Sequence, residues 1–117
     1  MTINDIIESL FQENRFTLPI FIEECKKYNI NHNEVKQNKD IIISIIKKAN
    51  SIIFAERIIV SLNYLFFKME DVNSLKQFIK AVYIYNFNKI NNANLCIPDI
   101  NNVKFKEWYN EKIKFNE

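Results

Sequence analysis

The chain contains no glycine in 117 residues, where an average usage of about 7% would supply roughly eight. Glycine-rich phosphate loops need a residue without Cβ, either to reach positive φ or to let backbone approach a phosphate closely. P-loop nucleotide binding and a dinucleotide fingerprint are therefore excluded. The dominant residues, 21 Ile, 18 Asn and 14 Lys against 2 Arg, are those of AT-rich codons, which accounts for much of the absence. The constraint on the fold holds whatever its origin.

Cysteine and histidine are scarce as well. Two cysteines, Cys25 and Cys96, cannot build a disulfide framework, and with the one histidine, His32, they cannot complete a tetrahedral zinc site without carboxylates. No metal and no cofactor is expected. A thiol near an imidazole is the minimum for nucleophilic catalysis, but Cys25 falls on an apolar helical stripe and His32 in the loop beyond it. The adjacent acids Glu23/Glu24 and Glu70/Asp71 point roughly 100° apart on a helix, so neither pair converges on one atom. The expectation is a protein that is not an enzyme.

Long apolar runs are missing too. The longest stretch without a charge is Ile58 to Phe67, ten residues, against the roughly twenty a spanning helix needs. No basic segment precedes an apolar one at the N-terminus, so no secretory signal is visible. A cytoplasmic chain without a membrane partner is expected.

What is present has the balance of a globular domain, with 48% hydrophobic and 26% charged residues. The periodicities predict an all-α fold: a single helical domain over residues 1–117, a compact bundle of five to six short helices around a central apolar helix at about 52–69. Helix one spans Ile3 to Glu13 with Thr2 as cap, and helix two follows Thr17, with Pro19 in its first turn, to Tyr28. A third covers Glu34 to Ala49, with Lys39 outward. Ala55, Ile58, Ile59, Leu62, Leu65, Phe66 and Met69 make the strongest stripe. A fifth helix starts after Asp71 and ends near Phe87. A last helix lies within residues 103–115, where alternation also permits a hairpin. Asparagine takes over helix termination, being the residue after glycine that most readily adopts the left-handed conformation. Asn14, Asn29 and Asn50 are expected at helix ends, some at positive φ.

The net charge of +2 conceals an asymmetry. Residues 1–24 carry Asp5, Glu8, Glu13, Glu23 and Glu24 against Arg15 alone, whereas residues 25–57 carry seven bases against three acids. Lysine pairs at 26/27, 36/39, 47/48, 104/106 and 112/114 could meet phosphates, yet only two arginines are available for bidentate readout. This two-signed surface argues for a protein partner over nucleic acid.

Aromatic residues make up 14% of the chain. Tyr85, Trp108 and Tyr109 exceed what single inward stripes hold, and such residues are enriched at interfaces. The reading is a non-catalytic protein-binding module, an immunity- or antitoxin-like inhibitor that neutralises a toxic enzyme such as a nuclease by covering its surface. Asp5, Glu8, Glu13, Glu23 and Glu24 would meet basic surface on the cognate toxin, with Tyr85, Trp108 and Tyr109 as anchors. One alternative is a viral helical bundle holding an amphipathic host helix in a groove lined by Glu56 and Arg57, which interrupt the most apolar segment. Another is a small nucleic-acid-binding regulator, whose affinity would fall steeply with salt. The sequence leaves the oligomeric state open.

Overall fold

The structure, a computed structural model, describes residues 1–37, 40–63 and 71–114, and the side chains of all of these except Lys36 and Gln37. Every regular element among them is helical, so the fold is all-α and residues 103–114 are helix rather than hairpin. No helix among the described residues is long and apolar enough to cross a membrane. The chain divides into two compact units, Met1–Met69 and Glu70–Glu117.

The first unit contains α1 (Ile3–Gln12), α2 (Leu18–Lys27), α3 (Glu34–Gln37), α4 (Asp40–Lys48) and α5 (Ile52–Leu62). Side chains fix three of the helix starts by satisfying amide N–H groups that have no partner inside the helix. The Asp5 N–H donates to Thr2 Oγ1 at 3.2 Å while the Thr2 N–H donates to Asp5 Oδ2 at 2.9 Å, a complete capping box. Thr17 accepts from the Ile20 N–H at 3.4 Å, and Ser51 from the Phe54 N–H at 3.1 Å. The expected third helix is described as α3 and α4, either side of residues 38–39. Lys39, Tyr64, Leu65, Phe66, Phe67, Met69 and Glu70, which entered the sequence reading, lie outside the described residues.

Both α1 and α2 end in the same way. After α1, Asn14 takes φ 56°, its N–H donates to Phe11 O at 3.0 Å, and the Arg15 N–H donates to Leu10 O at 2.9 Å. After α2, Asn29 takes φ 56°, its N–H donates to Lys26 O at 3.1 Å, and the Ile30 N–H donates to Cys25 O at 2.8 Å. These are Schellman motifs with asparagine where glycine is usual. Asn50 has no positive φ, because Ser51 directly after it starts the next helix.

Packing closes a cycle: α1 touches α2 and α4, and α5 touches the same two helices. Ile6, Ile7, Leu10, Phe21, Cys25, Ile45, Ile46, Ile58, Ile59 and Leu62 are all buried there. Each large side chain buried in this way contributes about 1.5–3 kcal/mol of transfer free energy. Phe16 stacks between Phe11 (5.2 Å between centroids) and Phe21 (5.5 Å), anchoring the α1–α2 turn.

The second unit contains α6 (Val72–Asn91), α7 (Val103–Tyr109) and a π-helical turn, Asn110–Lys114. Asp71 caps α6, accepting from the N–H of Ser74 at 3.2 Å and from the Ser74 hydroxyl. The helix runs four residues past Phe87 and ends at Asn92, whose φ of 51° supplies the third left-handed asparagine; the Ala93 N–H donates to Asn88 O at 3.0 Å. The cap of α7 is Asn102, which accepts from the Phe105 N–H at 3.2 Å. Between α6 and α7 lies an aromatic stack, with Phe78 5.1 Å from Phe105 and 5.0 Å from Trp108.

Candidate protein-binding surface

The acids of the N-terminal segment are largely engaged by their own neighbours. Asp5 belongs to the capping box, and hydrogen bonds from the Thr2 backbone and hydroxyl hold its carboxyl below the usual carboxylate range. Glu8 pairs with Lys48 Nζ at 3.2 Å, joining α1 to α4. Arg15 places Nε 2.7 Å from Glu13 and Nη2 3.8 Å from Glu24, so the residue just past the left-handed Asn14 ties the end of α1 to α2. Glu13, Arg15 and Glu24 share the wall of a shallow pocket of about 160 Å³ with Lys27 and Tyr28. Among the described residues Glu23 forms no ion pair and stands exposed. The structure thus brings Glu13 and Glu24 together around a cation and keeps Asp5 and Glu8 apart from them, each on its own partner.

The aromatic residues expected as anchors face inward. Trp108 is half-buried on Phe78 and Phe105, and Tyr109 is 5% exposed. Tyr85 is half-buried, with its ring edge-to-face with Tyr109 at 6.0 Å. The packing of α7, which carries Trp108 and Tyr109, on α6, which carries Tyr85, gives all three an inward position. Both hydroxyls, Tyr85 Oη and Tyr109 Oη, are buried without a hydrogen-bond partner among the described residues, and burial pushes the Tyr109 phenol above its ordinary value.

Large apolar side chains are exposed in both units, among them Ile53 in the first and Val103 on α7; three others lie at the end of α6 and in the segment after it. Phe87 and Ile90, on one face of the last turns of α6 by their i, i+3 spacing, are 38% and 72% exposed. Leu95 joins the set at 54% exposure. Asn88 holds it there: its Oδ1 accepts from the Leu95 N–H at 3.0 Å and its Nδ2 donates to Leu95 O at 2.9 Å. The Asn88 carbonyl also accepts from Asn92 and Ala93. Asn91 Nδ2 closes the face by donating to Phe87 O at 3.0 Å. Sequence reasoning counted Phe87 among the aromatic residues in excess of the inward stripes but missed Ile90 and Leu95; an apolar i, i+3 pair continuing past the inward stripe of α6 was the available signal.

Cys25 is fully buried, and burial first, then the charges of Glu34 and Glu24, push its thiol up to about 11. It remains protonated at neutral pH, whereas nucleophilic attack requires the thiolate. Glu56 is half-buried, while Arg57 is exposed with its guanidinium 5.8 Å over the Phe54 ring of its own helix. Among the described residues no group of three or more His, Cys, Asp or Glu could hold a metal ion. Comparison with known proteins finds no matching family model, no matching curated protein and no matching solved structure.

Proposed function

We propose that the chain is a non-catalytic protein-binding module whose contact surface is the apolar set Phe87, Ile90 and Leu95. The observation that carries this reading is the Asn88 clamp. An exposed leucine on a loop ordinarily loses rotational and backbone freedom on binding, at about 1–2 kcal/mol per residue fixed. Here two hydrogen bonds fix the backbone of Leu95 beforehand beside two exposed apolar residues on a helix. Pre-organisation of apolar surface favours association because it removes part of that cost.

In its finer form the proposal is an immunity- or antitoxin-like inhibitor that neutralises a toxic enzyme by covering it, in keeping with a small chain of two-signed charge. Glu23 supplies one unpaired acid for a basic rim on the toxin. The test is co-expression with the product of the reading frame next to its gene. The expected outcome is rescue of growth and a stoichiometric complex on size exclusion, both lost with Ile90→Asp and Leu95→Asp while circular dichroism stays unchanged. No rescue and no complex would remove the inhibitor reading. Rescue that survives both substitutions would remove the proposed surface.

A further inference from the structure

The two faces of α6 are used unequally. Ser74, Leu75, Phe78, Ile79, Ala81 and Val82 turn inward and are buried. With about 100° between successive residues, the opposite face carries Lys76, Lys80, Tyr83, Phe87 and Ile90, at spacings of four, three, four and three. That is the heptad spacing of a seam along which a second helix packs. Lys80, Phe87 and Ile90 are exposed and Lys76 and Tyr83 half-buried, so the face is open to solvent along about 21 Å of helix, at about 1.5 Å per residue.

Charge divides this seam. Its first two positions are lysines and its last three are apolar or aromatic, while α6 contains no Asp or Glu. Phe87 and Ile90 belong to the contact surface proposed above, and the lysines extend that surface toward the start of α6 with charge of one sign. A second copy of this chain does not fit the seam. Laid parallel, α6 would set Lys76 and Lys80 against the same lysines, and like charges across an interface oppose association. Laid antiparallel about Tyr83, it would set Lys76 against Ile90 and Lys80 against Phe87, covering ammonium groups with apolar side chains. A lipid surface fits poorly as well. An interfacial helix buries an apolar stripe along its length with its cations on the other face, whereas here the lysines stand on the apolar stripe itself. The complement is a helix with apolar residues along one half of its face and carboxylates along the other.

We propose that the seam Lys76, Lys80, Tyr83, Phe87 and Ile90 receives an acidic amphipathic helix of the partner protein, its carboxylates against the two lysines and its apolar residues against Tyr83, Phe87 and Ile90. This assignment rests on the contact surface proposed above and adds the chemistry of what that surface binds. The probe is a labelled synthetic helix of about four turns, with Leu at three successive seam positions and Glu at two. The Glu pair stands before the leucines in one version and after them in another, so that both directions of packing are tested, and counterpart peptides carry Lys in place of Glu. Anisotropy titration of the full chain should show saturable binding of a Glu peptide, about fivefold or more tighter than its Lys counterpart, the preference expected of two exposed charge pairs. Lys76→Glu/Lys80→Glu should reverse that preference with circular dichroism unchanged, and Ile90→Asp should weaken both peptides. No saturable binding of either Glu peptide, equal binding of Glu and Lys peptides, or a preference unmoved by the charge reversal would each overturn the assignment. So would a dimer of the free chain, or binding to phosphatidylserine vesicles, that is lost with Ile90→Asp. A complex with the co-expressed neighbour that is lost with Ile90→Asp but keeps its affinity with Lys76→Glu/Lys80→Glu would leave the contact surface standing and remove the acidic helix.

Discussion

In the unit Met1–Met69 the buried residues are dominated by isoleucine, and the ion pairs Glu8–Lys48 and Arg15 with Glu13 and Glu24 join its helices to one another. In the unit Glu70–Glu117 the interior is an aromatic stack of Phe78, Phe105 and Trp108, two phenol hydroxyls go unmet among the described residues, and Phe87, Ile90 and Leu95 face outward. Both units leave large apolar side chains exposed, Ile53 in the first and Ile90 in the second among them; the buried phenol hydroxyls without a partner among the described residues, and the Asn88 clamp, belong to the second. A partner gains most where groups are left unmet or are held in place beforehand, and that is why the proposed contact surface falls in the second unit.

The largest expected effect comes from removing the centre of the aromatic stack. Phe78→Ala should cost about 3–5 kcal/mol, and Trp108 is the sole tryptophan, so its fluorescence reports the second unit directly. Denaturant unfolding should show a larger shift of midpoint by Trp108 fluorescence than by far-UV circular dichroism, with Phe21→Ala giving the reverse. Coincident shifts for both variants would show that the two units unfold as one and would break the comparison.

The left-handed asparagines serve both units alike. Asn14→Ala, Asn29→Ala and Asn92→Ala should each cost about 1–2 kcal/mol, because a Cβ without a compensating polar side chain is disfavoured at positive φ. The glycine variants at the same positions should be as stable as the parent or more so. Equal stability of the alanine variants would contradict the assigned backbone.

Removing an unmet hydroxyl separates the units again. Tyr85→Phe should raise the stability of the second unit by about 1 kcal/mol, measured by chemical denaturation, whereas the exposed Glu8–Lys48 pair should show a coupling of about 0.5 kcal/mol or less in a double-mutant cycle. Acid should weaken both units through their caps. Hydrogen bonds hold Asp5 and Asp71 below the ordinary carboxylate range, for Asp71 chiefly those from the Ser74 hydroxyl and amide. A carboxyl whose folded pKa is depressed stabilises the fold above its unfolded value, about 3.9, and that contribution is lost as pH falls through the folded value. Stability should therefore decline below about pH 4, and Asp71→Asn should flatten the decline seen by Trp108 fluorescence.

Helix starts at Thr2, Thr17 and Asp71 were legible in the sequence because a cap is a contact within three residues. The helix ends at Asn14 and Asn29 were legible because a chain without glycine has few other residues for positive φ. Asn50 falls as expected in the link after α4 but without positive φ, because that three-residue link to α5 ends in its own cap, Ser51. The open surface was hidden for a different reason. Asn88 acts seven residues away on Leu95, through a side chain whose composition signal is only that of a loop-former. Tyr85, Trp108 and Tyr109 were expected as anchors because the aromatic residues exceed what single inward stripes hold, and only the packing of α7 on α6 gives them inward positions.

The central claim is that association runs through the clamped apolar face of the second unit, and the Asn88→Ala variant tests it most directly. It leaves Phe87, Ile90 and Leu95 in the chain and removes only the two hydrogen bonds that fix Leu95. Binding to the co-expressed neighbour should be measured by titration calorimetry beside a Glu8→Gln/Glu13→Gln control in the first unit. The account predicts a loss of about tenfold or more in affinity for Asn88→Ala, with the control unchanged. Undiminished binding by Asn88→Ala together with loss in the control would place the interface on the acidic helices and contradict it.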